Sequence, residues 1–171
     1  MTFDYNFSDI EDCLNLPELG EFEGFEDADD DLRPVATFIK NKSFHNDQLD
    51  PRRIKFFYTN KPKKDGGRYV TGTLMVRSEI ERLVDNRYDF IVIIYYPVFK
   101  MLDNEDKIIQ LDKVLCGIDL GTIEKPAVKK QQPDSKEFMG NLSFYGRDKV
   151  HDSSETVHLA TESIVQSEKE G

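Results

Sequence analysis

Two cysteines in 171 residues are too few to staple a domain of this size, and Cys13 and Cys116 sit in segments of different character with no CxxC spacing. Both read as reduced thiols of a cytoplasmic compartment. Long apolar runs are also missing: the longest, Phe90 to Tyr96, falls well short of the ~20 residues that span a bilayer, and it suits one buried strand. That excludes a helical membrane protein. The start, Met-Thr-Phe-Asp-Tyr-Asn-Phe-Ser-Asp, has neither a basic opening nor an apolar core after it, so no secretory signal is expected. No His-Glu-x-x-His occurs, and that spacing is what puts two zinc ligands and a general base on one helical face. A phosphate loop is absent as well, because Gly66-Gly67 lacks the strand-to-helix context and Gly117-Ile-Asp-Leu-Gly121 lies at the end of a helix.

Positive charge is lacking in one place in particular. Residues 1–32 hold twelve acidic side chains and no Lys or Arg, whereas the rest of the chain carries 21 acidic and 23 basic residues. The net charge of -10 is therefore the charge of an arm, not of the whole body. Aromatic and aliphatic residues run through that arm, among them Phe3, Tyr5, Phe7, Ile10, Leu14, Leu16, Leu19, Phe22 and Phe25. Acidic residues interleaved with aromatics suit docking on a basic, partly apolar surface, with folding on contact. The candidate contact residues are Phe3, Tyr5, Phe7, Asp9, Glu11, Asp12, Glu21, Phe22, Glu23, Phe25, Glu26, Asp27, Asp29, Asp30 and Asp31. A solvated leader is the alternative, and so is docking of the arm on its own body, where residues 52–68 gather seven cations against Asp65.

Behind the arm the punctuation is clear. Ile54–Thr59 is a β-rich run, the Lys/Gly stretch 60–67 breaks it, and Tyr69–Val76 alternates as a second strand, which predicts an antiparallel pair. Ser78 caps a short helix in which Ile80, Leu83 and Val84 share a face. Asp89–Tyr96 is the central strand, stopped by Pro97. A helix follows: Asp103 is its N-cap, Glu105 and Asp106 favour its positive end, Ile108, Leu111, Leu115 and Ile118 form its buried face, and Gly117 or Gly121 stops it. Residues 122–150, with two Pro and two Gly, read as a long irregular excursion, and a last marginal helix is expected from Ser153. The predicted organisation is an acidic arm over 1–32, an α+β domain over 33–150 and a polar helix or tail over 151–171.

The stretch from Arg53 to Gly121 resembles the putative phage metallopeptidase family of small zincin-like domains. The resemblance is carried by Ile54-Lys-Phe-Phe-Tyr-Thr-Asn-Lys-Pro, by Gly66-Gly67, by Tyr88-Asp-Phe-Ile-Val-Ile and by Leu111-Asp-Lys-Val-Leu-Cys-Gly-Ile. It implies a small, mainly antiparallel sheet packed on helices. In the family the last segment reads like Leu-Asp-His-Glu-Leu-Cys-His, so Leu111, Asp112, Leu115 and Cys116 match. The ligand and base positions fall on Lys113, Val114 and Gly117, which supply neither. A third family ligand, a His followed by Asp, has its counterpart in His151-Asp152.

These departures imply a pseudoenzyme with no metal and no cofactor. His45, His151 and His158 read as surface or loop polarity, although scattered histidines can bind metal in another geometry. Cys116 reads as a small buried hydrophobe and not as a nucleophile, since no Cys/His arrangement is visible nearby. The favoured expectation is a non-catalytic, phage-encoded protein that engages a bacterial host protein, such as a defence or nucleic-acid-processing factor, through its surface and arm in the host cytoplasm. The alternatives are a virion component and a divergent metal-dependent hydrolase using His151, His158 and carboxylates. Nucleic acid is not the expected partner, because the chain is acidic and a strand would bury half of Phe56, Phe57 and Tyr58. An arm of such charge can instead imitate a phosphate backbone in a basic groove.

Overall fold

The computed structural model describes residues 10–43, 45–131 and 138–170. It is an α+β fold in which helices cover one face of a four-stranded sheet. Strands β1 (Phe25–Asp27), β2 (Ile54–Thr59), β5 (Gly72–Val76) and β6 (Phe90–Tyr95) lie in the order β1-β2-β6-β5. Period-two alternation decides which side each residue takes. Ile54, Phe56, Tyr58, Leu74, Val92 and Ile94 are buried, while Lys55, Phe57, Thr73, Met75, Ile91 and Ile93 on the opposite face are partly or fully exposed.

The predicted pairing of 54–59 with 69–76 is wrong. β2 runs parallel to β6, with Ile54 opposite Phe90 and Thr59 opposite Tyr95, and β5 pairs antiparallel on the far side of β6. The Lys/Gly stretch does not span two sheet strands. It closes a separate small hairpin of β3 (Lys63–Asp65) and β4 (Arg68–Val70), in which Gly66 and Gly67 both take positive φ. The apolar central run wins both of the long pairings because β6 is the strand with most side chain to bury. β5 can lie close against it because residue 72 is glycine: a Cβ there would sit 2.7 Å from the Ile93 carbonyl oxygen and 2.6 Å from Ile94 Cδ1.

Seven helices are present among the described residues: α1 (Glu11–Leu14), α2 (Asp29–Lys42), α3 (Glu79–Val84), α4 (Tyr96–Phe99), α5 (Asn104–Leu115), α6 (Met139–Tyr145) and α7 (Arg147–Glu170). α3 has a full capping box between Ser78 and Glu81, and Asp103 caps α5 through the Asp106 N–H, as the sequence predicts. The apolar face of α3 is not buried: Ile80, Leu83 and Val84 stand in solvent. The described residues of the expected irregular excursion are largely regular, and its Pro133 lies outside them. The stretch contains a hairpin of β7 (Ile118–Gly121) and β8 (Pro126–Lys130), then α6, and the marginal terminal helix is a 24-residue α7 that begins at Arg147. Pro126 is tolerated because it opens an edge strand. α7 persists despite its polarity because Val150, Ser153, Val157 and Thr161 form a stripe that packs on the body.

The acidic arm is divided. Its last residues belong to the core, since β1 pairs with β2 and the expected boundary at residue 32 falls inside α2. Asp29 accepts from the Phe56 N–H at 2.9 Å and pairs with Arg33 and Lys55, and Asp31 accepts from the Tyr58 hydroxyl at 3.0 Å. Asp27 also pairs with Lys55, whose ammonium holds its carboxyl below the usual range. Residues 10–24 lie on the body. Leu14 is buried, the Tyr96 hydroxyl donates to the Pro17 carbonyl and accepts from the Leu19 N–H, and Asn60 donates to the Phe22 carbonyl. Lys107, on α5 and 6 % exposed, donates to the Leu14 carbonyl at 2.7 Å.

Gly72→Ala is expected to destabilise the fold by about 1–3 kcal/mol, because the backbone oxygen of Ile93 cannot swing away as a side chain would; a lowered urea midpoint at unchanged slope would show it. Burial pushes Lys107 below the ordinary lysine value of 10.5. The unfolded chain then binds more protons between the folded-state value and 10.5, so stability contributed by this site rises with pH across that window. Wild type should accordingly gain stability relative to Lys107→Met as pH is raised from neutral towards that value, measured by urea titration at each pH.

Candidate functional site

Helix α5 presents two neighbouring edges with different chemistry. One carries the positions of the sequence motif. Lys113 is half-buried and its ammonium donates to Ser154 Oγ on α7 at 3.2 Å. Val114 packs against the core, and a Cβ at Gly117 would already lie 3.1 Å from Leu74 Cδ2 and 3.2 Å from the Val114 carbonyl oxygen. None of the three offers a metal ligand, and position 117 is crowded by the sheet. A turn earlier, Gln110 accepts from the Thr71 hydroxyl and donates to Ser153 Oγ, both at 2.9 Å, so this edge of α5 is a polar tie between sheet and α7.

The other edge carries Asp112 and Cys116, one turn apart and therefore stacked on the same side of the helix. Asp112 is fully buried and is the centre of a polar cluster drawn from three segments. His45 and Asn46 come from the turn after α2, and Tyr145 from the end of α6. His45 Nε2 lies 2.9 Å from both carboxylate oxygens, Tyr145 donates its hydroxyl to Oδ2, and Asn46 donates to Oδ1. Cys116 Sγ is 3.6 Å from Asp112 Oδ1 and 3.6 Å from Asn46 Nδ2. Burial pushes the Cys116 thiol far above its usual range, with the Asp112 charge acting in the same direction.

The ring of His45 is set by α6. Phe144 meets it edge-on with centroids 5.3 Å apart, and Gly140 allows the helix to close on it, since a Cβ there would fall 2.7 Å from His45 Cβ. A buried carboxylate is tolerated only when donors surround it. Here the donors are also what pins the 45–46 turn and α6 to α5.

The predicted site residues fall in several places. Phe3, Tyr5, Phe7 and Asp9 lie outside the described residues. Glu11, Asp12, Glu21, Glu23, Phe25, Glu26 and Asp30 are exposed, Phe22 is half-buried against Tyr96, and Asp27, Asp29 and Asp31 bind strand β2. His151 is exposed at the start of α7, and His158 accepts from the Tyr69 N–H through Nδ1 while stacking on that ring. His45 does not read as surface polarity in the structure: its side chain is 9 % exposed. Sequence reasoning missed His45, Asn46 and Tyr145, and gave Asp112 no role beyond a motif match. The one local sign was the four-residue spacing of Asp112 and Cys116, while His45 approaches across 67 positions.

A family model described as Putative phage metallopeptidase matches residues 24–160, from the edge strand β1 into α7. The chain belongs to that family. No curated protein and no solved structure matches it. Within the chain the match leaves out α1 and takes in the whole four-stranded sheet, α5 and both edges just described. A metal implied by the family name does not fit the motif edge, where an ammonium, an isopropyl group and a glycine stand.

Tyr145→Phe deletes one donor to the buried carboxylate. It is expected to cost about 1–3 kcal/mol, the penalty of leaving a buried polar atom short of a partner, read as a lower denaturation midpoint with the far-ultraviolet spectrum preserved.

Proposed function

We propose that this phage metallopeptidase relative is a non-catalytic binding protein that engages, and so inhibits or modulates, a bacterial host protein. The observation that carries the non-catalytic half is the motif edge of α5. Hydrolysis by a zinc helix needs two imidazoles and a carboxylate at fixed spacing, so that a metal-bound water is both acidified and deprotonated. Lys113, Val114 and Gly117 supply none of these, and the Lys113 ammonium is engaged with Ser154.

The binding half is supported by how the acidic arm is laid down. Among its described residues Ile10 and Leu14 turn inward, with Leu16, Leu19 and Phe22 half-buried, while Glu11, Asp12, Glu18, Glu21, Glu23, Glu26 and Asp30 face solvent beside the exposed ring of Phe25. A rigid band of one charge with an aromatic in it suits a basic, partly apolar partner, and attachment to the body lowers the ordering cost of binding. A groove that normally holds a phosphate backbone has that chemistry.

Deleting residues 1–32 would remove β1 and cut α2, so charge neutralisation is the cleaner test. The chain with Glu11, Glu18, Glu21, Glu23 and Glu26 changed to Gln and Asp12 to Asn is expected to lose a host protein that wild type captures from bacterial lysate, with an unchanged thermal midpoint. Equal capture by both would remove the acidic band from the proposal. Zinc-dependent cleavage of a mixed peptide library by wild type would overturn the non-catalytic reading, and abundant copies in purified particles would favour a virion role.

A further inference from the structure

We propose that the second edge of α5 is a structural zinc site, with His45 Nε2, an Asp112 carboxylate oxygen and Cys116 Sγ as ligands and the Asn46 side-chain amide as the fourth. The site is separate from the motif edge, whose positions 113, 114 and 117 contribute nothing to it, and it does not depend on the binding role proposed above. Three ligand atoms of three different types lie within 4.8 Å of one another. The 3.6 Å from Asp112 to Cys116 is on the scale of an edge of a zinc tetrahedron, and the 2.9 Å from His45 to Asp112 is a hydrogen-bond distance that would open by about 0.4 Å to become one. Bonds of about 2.0 Å to nitrogen and oxygen and 2.3 Å to sulfur give edges of about 3.3–3.7 Å.

Charge favours the same conclusion. A wholly buried carboxylate beside a thiol is a single negative charge in a medium that penalises it. Binding Zn2+ displaces the Cys116 proton, and a second proton where His45 starts as an imidazolium, and the set of dication, thiolate, carboxylate and neutral imidazole is then uncharged. The mixture of nitrogen, sulfur and oxygen selects a borderline metal and excludes Mg2+ and Ca2+, which take oxygen ligands.

The surroundings are those of a closed site. Asn46 is 5 % exposed and touches both Asp112 and Cys116, so turning its amide presents the carbonyl oxygen to the same point. Tyr145 donates to the second carboxylate oxygen and orients it, and Phe144 with Gly140 fixes the imidazole plane. With four protein ligands and no open position the metal would hold α5, α6 and the 45–46 turn together and activate no water. The competing arrangement is an imidazolium–carboxylate pair with the thiol protonated.

Full-length protein produced with zinc in the medium and purified without chelator would be assayed for metal, then stripped and titrated with Co2+. The expected result is roughly one zinc per chain and, with Co2+, a thiolate-to-cobalt charge-transfer band in the near ultraviolet. Cys116→Ala should lose the band and bind Zn2+ at least about tenfold more weakly, as loss of a ligand requires, while His151→Ala with His158→Ala should leave both unchanged. Folded wild type that retains no zinc and gives no band on Co2+ addition would overturn the proposal, as would full zinc retention by Cys116→Ala. If Cys116→Ala does not fold, the wild-type cobalt spectrum decides alone.

Discussion

A single fully buried carboxylate organises one half of this molecule. Asp112 sits mid-helix on α5 with no solvent access, and it draws its partners from a turn 66 residues earlier and a helix more than 30 residues later. Those segments also meet through Phe144, which is buried in the core and lies edge-on to His45. The 45–46 turn is short and polar, and α6 is a seven-residue helix containing a glycine, too short to be stable by itself. Satisfying the charge on Asp112 positions them together with that packing, and leaving it unsatisfied would be costly for the whole fold.

The other half rests on β6. It is the most apolar strand of the sheet and lies between β2, to which it is parallel, and β5, to which it is antiparallel. Much of this was legible in the chain. Ile54–Thr59, Phe90–Tyr95 and the caps of α3 and α5 are local signals, and each is where its alternation or its capping residue puts it. Pairing was not legible, because two adjacent strand-like runs normally form a hairpin and nothing local says that β6, thirty residues on, will intervene. The strand and helices described after Gly121 were hidden for a similar reason: Pro126 and Gly140 look like breakers, yet one opens an edge strand and the other makes room for His45. The cluster around Asp112 was the least legible part, since three of its five members belong to segments whose only common property is where the sheet and α5 bring them.

Carboxylates in this chain do two different kinds of work, and composition alone cannot separate them. Asp27, Asp29 and Asp31 stand in the same acidic run as Glu21, Glu23 and Glu26, but they serve as internal partners for Lys55, Arg33, Tyr58 and the Phe56 backbone. The difference follows from geometry. Asp27, Asp29 and Asp31 lie where β1 turns into α2 and reach β2, while Asp30 between them faces solvent, as do Glu21 and Glu23 on the strap before β1. From residue 25 on the arm is thus a continuation of the fold, and residues 10–24 form a strap with its carboxylates in solvent.

Strand β1 is only three residues long, and it covers the outer edge of β2. Without it, β2 would present a row of unpaired amides and carbonyls beside Phe57, the kind of open border along which identical chains zip together. The acidic segment proposed to meet a partner of opposite charge therefore also closes this edge. Any partner that peeled the strap back as far as Phe25 would uncover a template for self-association, so tight capture of the arm and solubility of the captured molecule are opposed.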